Sequence, residues 1–227
     1  MRPAHRIHLF QDRKEAGKEL AEKLSKYKGV TNLIVLALPR GGVPVAFEVT
    51  RHLGAPLDVF ITRKLGFPDN PELAIGALAE NGEVFLNNDL VNYYTKEYLE
   101  EEVLYQKEEI KRRQALYRGE LILPAFKNKT VILIDDGVAT GATMIATIRA
   151  LRASGIKKLV VAVPVAPEEI IEELSGLADE LVVLYTPSPF IAVGMHYSDF
   201  RQVSDAEVKE YLEKAKTIDE PHKEVEK

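Results

Sequence analysis

Five short runs of mostly apolar residues, rich in Val, Ile and Leu, divide the chain and predict buried β-strands. Apolar runs of this length are typical of strands that are covered on both faces of a parallel sheet. The predicted strands occupy residues 33–38, 57–62, 131–134, 159–164 and 181–185. Segments with helical spacing follow three of them, at residues 43–53, 144–154 and 166–177. This alternation predicts an α/β fold with a doubly wound, mostly parallel sheet.

Helical spacing also occurs outside this alternation. A predicted helix over residues 12–27 has one apolar face, formed by Ala16, Leu20, Leu24 and Tyr27, and we assign it a scaffold role. Residues 89–119 predict a long, highly charged helical insertion, which begins at Asp89 as N-cap and packs by one face against the core or a partner subunit.

The remaining local signals concern turns and the end of the chain. Asn81-Gly82, between two short apolar runs, is the strongest signal for a β-hairpin. Residues 65–71 contain one Gly and two Pro, which favours a loop. A terminal helix over residues 204–214 has a capping box that starts at Ser204, and a disordered charged tail is expected at residues 217–227.

The composition narrows the class of protein. A chain of 227 residues, 46% hydrophobic and 29% charged, predicts one soluble domain with its core at about residues 31–186. No apolar run approaches the roughly 18 residues of a membrane span, and no signal-peptide core is evident, so we expect a cytoplasmic protein without membrane partners. The net charge of −5 argues against a nucleic-acid partner. Abundant Glu and Lys without Cys favour a thermophilic source.

The candidate chemistry centres on residues 131–143, which read VILIDDGVATGAT. A buried strand ends in Asp135 and Asp136, and a turn of small residues then leads into a helix. Backbone N–H groups at the start of a helix bind phosphate, and threonine hydroxyls add donors. The adjacent carboxylates suit a vicinal diol or a Mg²⁺ ion. A phosphorylated ribose has both features, whereas a capped glycine turn or a bare metal site is the plainer interpretation.

Other phosphate-binding patterns fit this stretch less well. A P-loop requires Lys before its Ser or Thr, and here Ala142 follows Gly141. The dinucleotide fingerprint places its acid about 20 residues after the glycines, whereas these acids precede them. The absence of Cys and the scattered positions of the five His leave no zinc-type cluster and no direct protein metal site to predict.

Two further loops follow predicted strands. Arg40-Gly41-Gly42 follows the first strand, where consecutive amides and one cation suit an anion, although a tight turn with a solvated arginine explains the same residues. Arg63 and Lys64 follow the second strand and are either anion ligands or an exposed basic pair. Because ligands bind beyond the carboxyl ends of parallel strands, we expect these groups and the acids at one edge of the sheet.

The stretch VILIDDGVATGAT resembles the phosphoribosyl-diphosphate (PRPP) signature of the type I phosphoribosyltransferases. The resemblance implies a Rossmann-like fold and transfer of the 5-phosphoribosyl group from PRPP to a nitrogen acceptor, a nucleobase in nucleotide salvage, with release of pyrophosphate. It implies that Asp135 and Asp136 hold the ribose and that Mg²⁺ is bound mostly through the substrate. The residues implied for the 5′-phosphate are Gly137, Val138, Ala139, Thr140, Gly141, Ala142 and Thr143.

The resemblance also assigns roles to the neighbouring loops. Arg40, Gly41 and Gly42 resemble the pyrophosphate loop, which often contains a non-proline cis peptide, and Arg63 and Lys64 resemble the start of a mobile catalytic loop. Residues 186–203 resemble the hood that covers the nucleobase. Its candidate pocket residues are Phe190, Tyr197 and Asp199, with Phe200 as a further aromatic residue.

Two questions stay open at this point. Hypoxanthine/guanine-type relatives have an acid immediately before the Thr-Gly, whereas this chain has Ala139, so proton transfer falls to Glu72 or Glu80 or is not needed. The acceptor is unassigned. The alternatives to a salvage enzyme are a non-catalytic nucleotide or PRPP sensor and an enzyme that uses PRPP on another metabolite. We also expect a homo-oligomer, most simply a dimer.

Overall fold

A computed structural model describes residues 9–68, 70–119 and 126–219 of the chain. The elements in chain order are α1 (Arg13–Lys23), β1 (Leu33–Ala37), α2 (Gly42–Leu53), β2 (Leu57–Val59), β3 (Thr62–Phe67), β4 (Asn70–Ala79), β5 (Val84–Leu86), α3 (Lys96–Arg118), β6 (Thr130–Ile134), α4 (Ala142–Ala153), β7 (Lys158–Val165), α5 (Glu168–Leu177), β8 (Glu180–Tyr185) and α6 (Asp205–Asp219). Short 3₁₀ helices occur at Ser25–Tyr27, Asn88–Tyr93 and Val193–His196. Within the described ranges, no helix is both long and apolar enough to cross a membrane.

The central sheet has five parallel strands in the order β2-β1-β6-β7-β8, which confirms the predicted α/β fold. Successive residues along its strands point alternately to two core layers, one on each face of the sheet. Val35 and Ile132 face the layer to which α1, α2 and α6 contribute, whereas Leu36 and Leu133 face the layer to which α4 and α5 contribute. Helices therefore cover both faces of the sheet, which is why β1 and β6 are apolar at nearly every position.

Strand β8 departs from the prediction of a buried strand. All six of its residues, including the apolar ones, are partly exposed. It pairs with β7 on one side only and ends the sheet. An apolar run cannot by itself distinguish a central strand from an edge strand.

A second sheet, antiparallel, consists of β3, β4 and β5. The loop predicted at residues 65–71 is wrong, because residues 65–67 continue β3 and β4 already begins at Asn70. The strand predicted at residues 57–62 is likewise divided between the two sheets. The register shifts on either side of Gly66, so this glycine marks a β-bulge within a strand and not a loop. The hairpin at Asn81-Gly82 is confirmed, with Gly82 at φ 90°.

The structure changes the predicted start of the long helix and the predicted end of the last helix. Thr95, not Asp89, caps the long helix, since its hydroxyl accepts a hydrogen bond from the Tyr98 amide at 3.1 Å. The predicted capping box of the last helix is confirmed by the mutual hydrogen bonds of Ser204 and Glu207. That helix continues to Asp219, so the predicted tail is wrong for residues 217–219, and residues 220–227 lie outside the described part of the chain.

Candidate active site

Two strand-to-helix connections lie side by side at the carboxyl edge of the central sheet. Ala37 of β1 pairs with Ile134 of β6, so the segments that follow these residues leave the sheet next to each other. The first connection contains a cis peptide bond between Pro39 and Arg40, the feature that the resemblance implied, and then enters α2 at Gly42. The second contains the two acids and enters α4. The predicted convergence is therefore confirmed for the loop after β1 and the acid loop after β6.

The two connections pack so closely that the first requires glycine. A Cβ atom on Gly41 would collide with the Asp136 carboxylate, and one on Gly42 would lie 2.7 Å from the Ile134 carbonyl oxygen. Gly41 has an ordinary φ of −62°, so the requirement comes from the neighbouring loop and not from the backbone conformation. The Gly-Gly pair is thus a contact surface for the acid loop.

Asp136 is buried and already paired. Its Oδ2 accepts a hydrogen bond from Arg13 Nε at 2.7 Å, and the two side chains are only 12% and 10% exposed. Its backbone carbonyl oxygen accepts the hydroxyl of Tyr197 at 2.5 Å. Burial raises the pKa of Asp136, while the Arg13 guanidinium acts in the opposite direction. Asp136 is therefore held in one position by partners on both its side chain and its backbone.

Asp135 is the more accessible of the two acids. Its residue surface is half-buried, and its Oδ1 accepts a hydrogen bond from the Asp136 amide at 2.8 Å. Burial raises the pKa of Asp135 well above the usual range, and the neighbouring Asp136 carboxylate raises it further. A carboxylate in this position can accept hydrogen bonds from a diol through its remaining lone pairs.

The loop between the acids and α4 has a buried side and an open side. Gly137 lies against Val193, while Gly141 adopts φ 78° at the N-terminus of α4 and lies against Ile170. The open side is formed by Ala139, Thr140, Ala142 and Thr143. Because the N-cap residue of α4 is Gly141, it has no side chain that could occupy the amides of the first helical turn. The loop thus presents the start of a helix and two threonines on its open side, an arrangement suited to an anion.

The three predicted cationic residues lie on two parts of the fold, Arg40 in the turn between β1 and α2 and the other two in β3. Arg40 Nη1 is 3.7 Å from Asp205 Oδ1 at the start of α6. Arg63 and Lys64 were predicted at the end of a strand, where a mobile loop would start, but they lie inside the paired strand β3. Arg63 Nε donates to Gln106 Oε1 of α3 at 2.8 Å, and burial lowers the pKa of Arg63. The paired strands β3 and β4 therefore fix the backbone of Arg63 and Lys64.

Comparison with known proteins decides the family. The sequence profile of the phosphoribosyl transferase domain matches residues 5–198. The chain belongs to the phosphoribosyl transferase family. A putative phosphoribosyl transferase of Mycobacterium tuberculosis is 44% identical over 211 residues, which are 92% of this chain and 47% of that protein. The crystal structure of TT1426 from Thermus thermophilus is 45% identical, with a TM-score of 0.76 over 89% of this chain and 97% of that one.

The mycobacterial relative is a longer protein than this chain. The chain spans about half the length of that curated relative, 47% of it. The family and the fold are shared over nearly the whole of this chain.

One of the residues predicted to line the nucleobase pocket of the hood is buried beneath the acid loop. Tyr197 is 2% exposed and its hydroxyl is donated to Asp136, so the prediction that it lines a nucleobase pocket is wrong. Phe190 is half-buried, with its ring centroid 5.0 Å from that of His196. Asp199 is exposed and accepts a hydrogen bond from the Arg201 amide. Phe190 and Asp199 remain candidates for the pocket.

Of the two acids suggested for proton transfer, Glu80 is excluded. Its side chain is 0% exposed and receives hydrogen bonds from Arg118 at 2.7 Å and from Gln114 at 3.1 Å. Arg118 also binds Asp58 at 3.0 Å, so the three charges form a buried ion-pair network that links β2, the residue after β4, and α3. The side chain of Glu72 lies outside the described part of the structure. Sequence reasoning cannot distinguish a buried, paired acid from a reactive one.

Arg13 is the site residue that sequence reasoning missed. It precedes Ala16 by three positions and Leu20 by seven, so it lies on the apolar face of α1 and not among the solvated cations. The sequence signal for Arg13 is a charged residue on the apolar face of a helix. Such a residue is seldom buried without a partner of opposite charge.

Proposed function

We propose that the protein transfers the 5-phosphoribosyl group of PRPP to a nitrogen acceptor, a nucleobase, and releases pyrophosphate. One observation carries this proposal: the glycine loop at residues 40–42 and the acid loop at residues 135–143 are in van der Waals contact at the carboxyl edge of the sheet. An anion loop on either side of an accessible carboxylate matches a sugar with a phosphate group at each end.

The reaction that fits these residues is a substitution at the anomeric carbon of the ribose. The new C–N bond forms as the C–O bond to pyrophosphate breaks, and the acceptor nitrogen releases a proton. The backbone of residues 137–143 holds the 5′-phosphate, and Asp135 accepts hydrogen bonds from the ribose hydroxyls. The cations Arg40, Arg63 and Lys64 offset the charge that develops on the leaving group. Catalysis then rests mainly on positioning and charge neutralisation.

The proposed reaction includes a divalent cation that arrives with the substrate. When bound, Mg²⁺ offsets the charge of the leaving pyrophosphate, whose oxygens and water supply most of its ligands. The carboxylate of Asp135, a half-buried residue, suits a water-mediated contact with such an ion. In the described ranges, no group of three or more His, Cys, Asp or Glu side chains is arranged to hold a metal ion.

The experiment that tests the proposal supplies the full chain with PRPP, Mg²⁺ and a panel of nucleobases and other nitrogen compounds, and measures pyrophosphate release. We expect release that depends on one base and stops when the divalent cation is chelated. Binding of PRPP without turnover by any base would support the sensor alternative instead. Turnover with a non-base acceptor would support the alternative enzyme, and failure to bind PRPP at all would overturn the proposed function.

A further inference from the structure

We propose that Arg13, on the first helix, is a positioning residue that fixes the Asp136 carboxylate and thereby the ribose-binding acid loop. This inference rests on the proposed function, because it concerns how the acid loop receives a ribose. Arg13 reaches the loop from α1, which precedes the first strand of the sheet. It is 123 residues away from Asp136 in sequence.

The contact between the two side chains has the geometry of a strong, buried ion pair. Arg13 Nε donates to Asp136 Oδ2 at 2.7 Å, within the usual range for a charge-assisted hydrogen bond. Both side chains are nearly excluded from solvent, at 10% and 12% exposure. Removing one member of such a pair leaves the other charge buried without compensation.

Arg13 is itself fixed from other directions. Its Nη1 donates to the Arg201 carbonyl oxygen at 2.9 Å, and its guanidinium carbon lies 3.8 Å from the centroid of the Phe200 ring. At the start of its helix, the Asp12 side chain accepts the Glu15 amide at 2.8 Å. These contacts fix the position of the Arg13 guanidinium, so it is not a mobile surface charge.

A fixed Asp136 determines the position of its neighbours. Its backbone amide donates to Asp135 Oδ1 at 2.8 Å, which orients the accessible acid. Its Oδ2, the atom that Arg13 binds, also lies against Gly41 of the first loop. Displacement of Asp136, side chain and backbone together, would therefore change both the orientation of Asp135 and the spacing between the two loops.

A role confined to stability would have a different signature. An arginine that only supports folding would, when replaced, leave the folded fraction with unchanged affinity for every ligand. A positioning residue instead changes the binding of the ligand that uses Asp135, the acid that Asp136 orients. PRPP has the ribose diol, whereas inorganic pyrophosphate lacks it and can use only the anion loops. The comparison of these two ligands separates the two roles.

The experiment measures the affinity of the full chain for PRPP and for inorganic pyrophosphate, each with Mg²⁺, by titration calorimetry. We expect Arg13→Gln to weaken PRPP binding by about tenfold or more and pyrophosphate binding by no more than about threefold. Lys14→Gln is the matched control, since Lys14 is the exposed neighbour on the same helix, and both affinities should stay within about twofold.

The outcomes distinguish this inference from the proposed function. If the unaltered chain does not bind PRPP, both fail. If it binds PRPP but Arg13→Gln binds PRPP equally well, or loses affinity for both ligands to the same extent, only the positioning role is overturned. If Arg13→Gln does not fold, Arg13→Lys takes its place, because it keeps the charge but lacks the Nε donor. Intermediate PRPP affinity with unchanged pyrophosphate affinity then supports the role, and unchanged PRPP affinity overturns it.

Discussion

Tyr197 donates its hydroxyl hydrogen bond to the backbone carbonyl oxygen of Asp136 at 2.5 Å, and both residues are buried. The ring of Tyr197 is enclosed by two other aromatic rings, with centroid distances of 5.3 Å to Phe10 and 5.0 Å to Phe200. The segment after β8 is thus anchored to the acid loop by a residue beneath the site. This contact explains why an aromatic residue of the predicted hood is unavailable to a ligand.

Replacing Tyr197 with Phe should therefore destabilise the protein. The ring packing is retained, but the Asp136 carbonyl oxygen loses its hydroxyl partner in a buried position, which costs about 1–3 kcal/mol. The free energy of unfolding in urea measures this loss. Tyr105→Phe is the control, because Tyr105 is 67% exposed and its change should have little effect. Equal unfolding free energies for Tyr197→Phe and the unaltered chain would contradict the anchoring role.

Replacing Gly41 with Ala tests the contact between the two loops. The added methyl group would collide with the Asp136 carboxylate, so one loop must move and PRPP binding should weaken by about tenfold or more. Gly176→Ala is the matched control. No atom lies within 4 Å of its added Cβ, and the change in helix α5 should be neutral or stabilise by about 0.5–1 kcal/mol. If Gly41→Ala retains full PRPP affinity in calorimetry, the two loops are not interdependent.

Replacing Arg118 with Met tests the buried ion-pair network that excludes Glu80 from catalysis. The Glu80 carboxylate, 0% exposed, would lose its cationic partner, and the expected destabilisation is roughly 3–5 kcal/mol. Arg152→Met breaks an ion pair whose side chains are 36% and 40% exposed, and should cost less than about 1 kcal/mol. Chemical unfolding compares the two variants. Similar losses in both would show that burial does not distinguish the two ion pairs.

The parts of the fold that sequence predicted are those that short segments determine. The strand at β6 and the acids that follow it form one continuous stretch, so their order and spacing already specify a strand, a loop and a helix. The parallel arrangement then brings the loop after β1 to the same edge. Both features depend on local pattern and on general rules of α/β topology.

The incorrect predictions have the opposite origin, since they depend on contacts between distant segments. Glu80 differs from a reactive acid only because Arg118, 38 residues later, reaches it. Tyr197 differs from a pocket residue because its hydroxyl meets Asp136, 61 residues away. Leu65 was predicted as the start of a loop, but it lies in a strand because it pairs with β4. A single sequence does not specify such partners, so burial and pairing had to come from the structure.

The raised pKa of Asp135 predicts how PRPP binding depends on pH. Burial, and then the Asp136 charge, raise this pKa above the ordinary aspartate value of about 3.9. The ionised carboxylate is the form that accepts the ribose hydroxyls, so affinity should fall as pH decreases, starting at a higher pH than for an ordinary aspartate. The 5′-phosphate of PRPP has a pKa of about 6, so its own titration also changes the affinity as pH decreases. The affinity of Asp135→Asn for PRPP therefore serves as the reference. The ratio of the two affinities should decrease with a midpoint above about pH 4. A ratio that is constant down to that pH would contradict a role for the Asp135 carboxylate.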